Sequence, residues 1–378
     1  MPVHKLTLGL LVVLLVSCAR IDVAPSSQTE PSAPKKPKPE VLITGLEHPW
    51  GMAWLPDGRM LITERAGRIR IVRNGVLDPR PVAGLPPIFV QGQGGLLDIA
   101  VHPRFVENSL IYFTYAAGTP TANHTRVARA VFRNDRLEHV EDIFQVGQLK
   151  SGAQHFGSRL LWLPDGTLLV TIGDGGNPPI TLDGALIRLQ AQNKTSHLGK
   201  IIRIRDDGSI PPDNPFRKDP QADPRLYTYG HRNIQGIDRD PRTGQIWASE
   251  HGAREGDELN LIRAGNNYGW PVVTHSREYF GPEITTERSR PGMADPVLVW
   301  EGTVAPSGLA IHQGKIYAGG LVSQDIREIE VDAQERVVRQ RSIPIGRRVR
   351  DVRSRDGWLY VLTDYANGEL LRLRPESL

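Results

Sequence analysis

The chain has 378 residues, of which 39% are hydrophobic and 23% charged, so it can bury a substantial core. Its 46 basic and 42 acidic residues give a net charge of +4. The two signs are mixed along the chain and no nucleic-acid-binding motif accompanies them, which argues against a nucleic-acid partner. The single cysteine excludes internal disulfides.

The N-terminus has the pattern of a lipoprotein signal peptide. Lys5 precedes an apolar run over residues 6–16, too short for the roughly 20 residues that span a bilayer. The run leads into Leu-Val-Ser-Cys, which resembles the bacterial lipobox and ends at Cys18. We therefore expect residues 1–17 to be a signal peptide and Cys18 to carry a lipid, in preference to being a buried thiol. Position 19, directly after the cysteine, is alanine instead of aspartate, which resembles the pattern of lipoproteins retained in the outer membrane of Gram-negative bacteria.

The segment that follows is rich in Pro, Ser and Lys and lacks apolar spacing. Residues 18–40 are predicted to form an extended tether. The expected protein is exported and either periplasmic or on the cell surface, with the outer membrane favoured and the lipid its only contact with a membrane. Residues 41–378 are predicted to form one folded domain.

That domain repeats one unit: an apolar strand, a turn that often contains Asp-Gly, and a second apolar strand. Copies spaced by roughly 40 to 75 residues are typical of radial β arrays, because the faces of each blade are covered only by its neighbours. The sequence predicts an all-β, six-bladed β-propeller, in preference to a large sandwich. The six copies span residues 51–63, 97–114, 154–176, 236–249, 307–319 and 352–363.

His155 and Asp174 stand at the two ends of the third repeat. His155 precedes its first strand and Asp174 follows its second, so the tight turn between the strands would bring both to one end of the sheet. An imidazole with an ordinary pKa near 6.5 suits proton transfer near neutral pH. Taken alone, each residue is more often structural, the histidine as a hydrogen-bonded residue and the aspartate as part of a turn.

Other polar segments fall in or beside connections, where propellers carry ligand-binding groups. Arg348 and Arg350 alternate along a strand, so both face one side and indicate an anionic ligand, although a solvated hairpin face is the simpler interpretation. The acidic loop over residues 250–258 would, by itself, be solvated. The glycines of these segments form no dinucleotide fingerprint, because no helix with apolar spacing follows them.

Together, the segments at residues 92–98, 154–160, 173–176, 229–236, 249–261 and 348–352 resemble the soluble quinoprotein aldose sugar dehydrogenases. These are relatives of the soluble glucose dehydrogenase that uses pyrroloquinoline quinone (PQQ), and the similarity covers residues 41–375. The resemblance implies oxidation of aldose sugars at C1 to lactones, with PQQ and Ca²⁺ as cofactors and an external electron acceptor.

The resemblance also implies roles for individual residues. His155 matches the general base, and Asp174 the carboxylate that binds sugar and orients this base. Arg232 matches a position that contacts the cofactor or sugar and steadies developing charge. The remaining matches are cofactor contacts at Gln93, Asn233, Tyr279, Arg348 and Arg350, a calcium held by the carbonyls of Gly252 and Ala253, and a second calcium at Glu258 and the carbonyl of Tyr268.

One departure from the family concerns residues 319–322, where some relatives carry a lysine near the cofactor and this chain has none. The connection over residues 177–216 is expected to roof the cleft and to help select the sugar. Two rival functions stay open on the residues: a calcium-dependent propeller lactonase or esterase, and a non-catalytic binding propeller.

Overall fold

The structure, a computed structural model, describes residues 39–375. The predicted signal peptide, Cys18 and all but the last two residues of the predicted tether lie outside this range. Within it, no helix has both the length and the hydropathy needed to cross a membrane.

Six four-stranded antiparallel sheets form the blades of a β-propeller, which confirms the predicted fold. The first strands of neighbouring blades contact one another around the axis, so they are the innermost. In chain order from the inside outward, blade 1 contains Pro49–Trp54, Met60–Glu64, Arg68–Arg73 and Val76–Leu77; blade 2 contains Leu96–Val101, Leu110–Thr119, Ala122–Arg133 and Arg136–Gln145; and blade 3 contains Leu160–Trp162, Leu168–Ile172, Lys200–Ile204 and Leu226–Tyr229. Blade 4 contains Ile234–Arg239, Ile246–Glu250, Glu258–Ile262 and Leu298–Val299; blade 5 contains Pro306–His312, Lys315–Gly320, Asp325–Val331 and Val337–Pro344; and blade 6 contains Val349–Arg355, Trp358–Thr363, Gly368–Leu373 and Glu40–Leu46.

The two ends of the described chain close the ring. Strand Glu40–Leu46 supplies the outer strand of blade 6 by pairing with Gly368–Leu373, with Glu40 opposite Arg372. The Arg372 Nε atom lies 2.7 Å from Glu40 Oε2 across this pair. An exposed pair of this kind adds little stability, so closure depends mainly on backbone pairing and burial.

Apolar side chains fill the spaces between blades. One cluster joins Leu61 and Ile69 of blade 1 to Phe113 and Ala128 of blade 2, and corresponding clusters lie between each later pair. A further cluster between blades 6 and 1 completes the ring. The sheets thus bury both faces against neighbours, as the repeat predicted.

Asp-Gly turns join the first two strands of blades 1 and 3. Asp57 accepts a hydrogen bond from the Arg59 amide at 3.0 Å, and Asp165 accepts one from the Thr167 amide at 2.9 Å. Gly58 has a φ of 89°, a conformation that glycine adopts without steric cost. These turns lie at the end of the propeller where the first strands finish.

The connection predicted over residues 177–216 is not a single loop. It contains the hairpin Thr181–Leu182 with Ala185–Leu186, and then the 3₁₀ helix Ile187–Gln192. The chain then re-enters blade 3 with strand Lys200–Ile204, which pairs with Leu168–Ile172. All five of its residues are buried, as suits a strand inside the sheet. Elsewhere, the short α-helix Phe105–Asn108 lies between the first two strands of blade 2.

Candidate active site

The candidate site lies at the end of the propeller where first strands begin and second strands end, here called the site end. A cavity of about 230 Å³ opens there. All six blades contribute to its wall, so its shape depends on the whole ring. The lining side chains include Trp50, Arg65, Gln93, Leu97, Phe156, Asn233, Gln235, His251, Leu321, Arg348, Arg350 and Asp364.

His155 and Asp174 are in contact beside this cavity. The His155 Nδ1 atom lies 2.6 Å from Asp174 Oδ1, and the two residues are 4% and 0% exposed. An ionised carboxylate only accepts hydrogen bonds, so Nδ1 carries the proton and Nε2 has the free lone pair. Nε2 has no partner within residues 39–375. The neighbours Phe156 and Gly157 line the cavity directly.

Local backbone geometry sets the position of this histidine. His155 has a φ of 49°, in the left-handed region, and its amide donates to Gln93 Oε1 at 2.8 Å. A Cβ atom on Gly173 would lie 2.2 Å from the His155 carbonyl oxygen. Glycine at position 173 therefore permits the close approach that brings Asp174 to His155.

Burial and neighbouring charge both favour a neutral imidazole. Burial is the main cause that lowers the pKa of His155, and Arg232 adds to this effect, while Asp174 opposes it. A neutral imidazole with a free Nε2 can accept a proton. The arrangement can therefore act as a general base oriented by a carboxylate.

Asn233 lines the cavity, whereas Arg232, the residue before it, is outside the cavity wall and contacts the pair: its carbonyl accepts the Asp174 amide at 2.8 Å. The Arg232 guanidinium donates to Asn177 Oδ1 at 2.7 Å and to the His251 carbonyl at 3.2 Å. Its Nε atom is buried and has no hydrogen-bond partner within the described residues. Asn233 Oδ1 accepts the Gly157 amide at 3.1 Å, which ties blade 4 to the segment that follows His155.

Arg348, which directly precedes strand Val349–Arg355, and Arg350 within that strand both line the cavity. Arg350 bonds Asp364 and donates to Gln235 Oε1 at 3.4 Å, but its buried Nε lacks a partner in the part of the chain described. Burial acts to raise the pKa of Asp364, yet Arg350, His48 and Arg348 hold this pKa below its ordinary value. With Arg65, three arginines face one carboxylate around the cavity.

The predicted calcium carbonyls lie in a loop ordered by Asp257. This carboxylate accepts the Gly252 amide at 2.9 Å and the amides of Val304 and Ala305 at 2.9 and 2.8 Å. The carbonyls of Gly252 and Ala253 accept no hydrogen bond from residues 39–375. Two free carbonyls in an ordered loop fit a hard cation.

Glu258 and Tyr268 occupy the same side of blade 4. Burial, followed by Glu250, raises the pKa of Glu258 to about 8. The Tyr268 ring stacks on His231 at 4.6 Å between ring centroids. Its backbone carbonyl accepts no hydrogen bond in the described chain. Within residues 39–375, no three His, Cys, Asp or Glu side chains group as a metal site. A cation here would therefore depend on carbonyl oxygens as well as Glu258.

Tyr279 is separate from the cavity wall. Its side chain is 45% exposed, and the next residue, Phe280, is fully exposed. Its contact with the cofactor stays a prediction.

Sequence reasoning missed Arg65, His251 and Asp364 as lining residues. The signal was present, because each directly follows the second strand of its repeat. Asp174 stands one residue further on in blade 3. Aligning the repeats by strand end, instead of searching for polar clusters, would have placed all four at the site end.

A larger cavity of about 790 Å³ lies at the opposite end of the ring. It is lined by the first-strand turns of blades 2, 3 and 4, including His102, Asp165 and Arg239. Volume therefore does not mark the site here, whereas converging buried polar groups do.

The fold and the site together define a six-bladed β-propeller that carries a carboxylate-oriented histidine beside an arginine-rich cavity. The family model for glucose and sorbosone dehydrogenases matches residues 46–372. The chain belongs to this family.

Individual relatives agree with that assignment. An uncharacterized protein of Synechocystis sp. is 59% identical, over 88% of this chain and 85% of the relative. The aldose sugar dehydrogenase of Escherichia coli is 36% identical, over 92% of this chain and 95% of the relative. The PQQ-bound aldose sugar dehydrogenase of Streptomyces coelicolor superposes with a TM-score of 0.74 at 28% identity, over 88% and 96% of the two chains. These relatives support sugar oxidation and an oxidoreductase class.

Proposed function

We propose that the protein oxidises aldose sugars at C1 to lactones, using PQQ and Ca²⁺, and passes the electrons to an external acceptor. The observation that carries this proposal is the buried His155–Asp174 pair beside a cavity with an excess of arginine. PQQ, when bound, supplies the two-electron oxidant, and Ca²⁺ supplies a Lewis acid beside it. Membership of a dehydrogenase family favours this reaction over the lactonase and the binding module.

The residues around the cavity fit an anionic quinone. Arg65, Arg348 and Arg350 provide positive charge, and the buried Nε of Arg350 still has a free proton to donate. Hydrogen bonds from arginine to carboxylates are among the stronger contacts in proteins. Arg348 Nη1 donates to the Leu321 carbonyl at 3.2 Å, so this arginine supplies a cation near residues 319–322, where the chain lacks the lysine of some relatives.

His155 is proposed to take the proton of the C1 hydroxyl at Nε2. Asp174 holds the Nδ1–H tautomer and stabilises the imidazolium that forms. Arg232 has a buried, unpartnered Nε in the described chain and can stabilise negative charge on the sugar oxygen. The aldose would become the lactone by losing this proton to His155 and the C1 hydride to the quinone, which would supply the two-electron oxidant.

Reconstitution tests this function. Purified protein should reduce a redox dye with several aldoses only after PQQ and Ca²⁺ are both added. His155→Ala should lower kcat by at least ~100-fold, the scale of a lost general base. His102→Ala is the matched control, since this buried histidine lies at the opposite end of the ring. Equal dye reduction without PQQ would refute the proposal.

Export and lipid anchoring at Cys18 are proposed on the lipobox-like sequence alone. Cys18→Ser should abolish incorporation of labelled palmitate and move the protein from the membrane to the soluble fraction. Unchanged labelling in the variant would contradict the anchor.

A further inference from the structure

Trp270 makes a buried hydrogen bond to Asp174, the carboxylate proposed to orient the general base His155. Its indole Nε1 donates to Asp174 Oδ2 at 2.8 Å. Trp270 is 5% exposed and Asp174 is fully buried, so water does not compete for this bond. Nothing in the sequence patterns pointed to this tryptophan.

The bonds of Asp174 divide between its two oxygens. Oδ1 contacts His155 Nδ1 at 2.6 Å and accepts the Gly176 amide at 3.1 Å. Oδ2 accepts a hydrogen bond from Trp270 alone among residues 39–375. The indole therefore fixes the rotation of the carboxylate, and with it the oxygen that faces His155.

Trp270 is itself firmly held. Its amide donates to the Gly230 carbonyl at 2.9 Å, and its carbonyl accepts Gln192 Nε2 at 2.8 Å. The guanidinium carbons of Arg232 and Arg188 lie 5.4 and 5.9 Å from its ring centroid. Because the ring is restrained on several sides, it can hold the group to which it is hydrogen-bonded in a fixed orientation.

We propose that Trp270 is a positioning residue for the reaction, acting through Asp174 to orient and tune His155. The role of Trp270 in catalysis rests on the proposed function, whereas its effect on the pKa of the His155 imidazole does not. A hydrogen bond to an ionised carboxylate stabilises the charged form and lowers its basicity. Loss of the indole N–H would leave His155 as the main side-chain partner of the carboxylate, so the imidazolium of His155 would be held more strongly.

Other titratable or charged groups face the same pair, and burial lowers the pKa of two of them, that of Lys150 to about 7 and that of Lys200 well below its ordinary value. Lys150 and Arg232 act on His155, and Lys200 acts on Asp174. Lys150 lies 4.0 Å from the centre of the Phe156 ring and contacts the Gly152 carbonyl at 3.3 Å. His251 also interacts with His155, but burial first, and then Arg232, lower the pKa of His251 to about 3, so it stays neutral.

The test is Trp270→Phe, which keeps a buried ring and removes the N–H. In the protein without PQQ, the His155 pKa measured by ¹⁵N NMR should rise by about 0.5 to 1 unit. In the reconstituted enzyme, kcat/KM should fall roughly 10-fold, the scale for one charged hydrogen bond. The acidic limb of its pH profile should move to higher pH, because the base acts in its neutral form.

Trp300→Phe is the matched control. Trp300 is 3% exposed, and its Nε1 has no hydrogen-bond partner in the part of the chain that the structure describes. This variant should leave the His155 pKa and kcat/KM unchanged. Trp270→Phe should also have little effect on that pKa in an Asp174→Asn background, because the two residues act through one bond.

An unchanged His155 pKa in folded Trp270→Phe would overturn the inference, even if sugar oxidation is confirmed. A shifted pKa in a protein that oxidises no sugar would uphold the contact and refute the proposed function instead. If neither Trp270→Phe nor Trp270→Tyr folds while Trp300→Phe does, Trp270 serves stability alone and the inference fails.

Discussion

Two regions at the site end are unbalanced in charge, in opposite directions. Around the cavity, Arg65, Arg348 and Arg350 face the single carboxylate of Asp364, whose pKa is held low. In blade 4, Glu258 lies near Glu250, Asp257 and Asp295, all of which act to raise its pKa. Glu258 has no Lys or Arg nitrogen within 4.0 Å among residues 39–375.

A third set of buried charges shows why the imbalance matters. On the propeller axis, Arg159 pairs with Asp351 at 3.0 Å and with Asp98 at 3.4 Å, and Arg353 pairs with Asp98 at 2.9 Å. These charges offset one another inside the protein, as in a structural network. Buried charge alone therefore does not indicate a ligand, whereas an uncompensated excess of one sign favours a ligand of the other. The cavity favours an anion and the Glu258 region a cation.

Among the changes that test this comparison of charge, the largest effect is expected from removing one cation from the cavity. Arg350→Gln should weaken PQQ binding by roughly 10- to 100-fold, because it removes a charge that is mostly buried and opposite the proposed carboxylates. Titration of the calcium-loaded protein with PQQ, followed by quenching of tryptophan fluorescence, measures this change.

Arg242→Gln provides the comparison at the opposite end of the ring. Arg242 is a turn residue 71% exposed that pairs with Asp240 at 3.4 Å. Its removal takes away the same charge but should leave PQQ affinity within about twofold, since solvent screens exposed charges. Equal weakening by the two variants would mean that net charge, and not the cavity, attracts the quinone.

The sequence predicted the blades well because each repeat carries its own strand, turn and burial pattern. It did not predict that Glu40–Leu46 closes blade 6, since this strand pairs with residues more than 300 positions away and its local pattern resembles any edge strand. It also merged Lys200–Ile204 into a connection, because that buried strand follows a segment without the repeated turn. Long-range pairing is where a local pattern carries the least information.

Sequence reasoning placed His155 and Asp174 together, because a hairpin fixes which ends of its strands meet. It missed Trp270, which reaches Asp174 from a loop 96 residues further along the chain. Its contact with Asp174 depends on how blades 3 and 4 pack, and no periodicity encodes that. The roles of these residues and the calcium positions at Gly252, Ala253, Glu258 and Tyr268 still stand as predictions.

A smaller effect is expected at Glu258, where removing the charge should increase the stability of the calcium-free protein. Glu258→Gln removes the repulsion among neighbouring carboxylates but also removes a proposed calcium ligand. Without calcium, at pH 8, the variant should be more stable than the wild type by roughly 1 to 4 kcal/mol, where the upper limit is the full pKa shift of Glu258 and the lower limit allows for screening by solvent. With calcium, the wild type should gain stability, whereas the variant should gain little. Thermal unfolding with EGTA or with excess Ca²⁺ measures both.

The pH dependence separates repulsion from a general effect of the substitution. The folded pKa of Glu258, about 8, lies above its ordinary value of 4.5. A raised pKa gives stability that is fully present below pH 4.5 and is lost as pH rises through 8. In EGTA, the advantage of Glu258→Gln should therefore grow from pH 5 to pH 8 and level off above that. Asp295→Asn should show the same trend more weakly, because its carboxylate contributes least to the shift. A constant advantage at all pH values would mean that the excess of negative charge does not destabilise this region, and the charge argument for a cation there would fail.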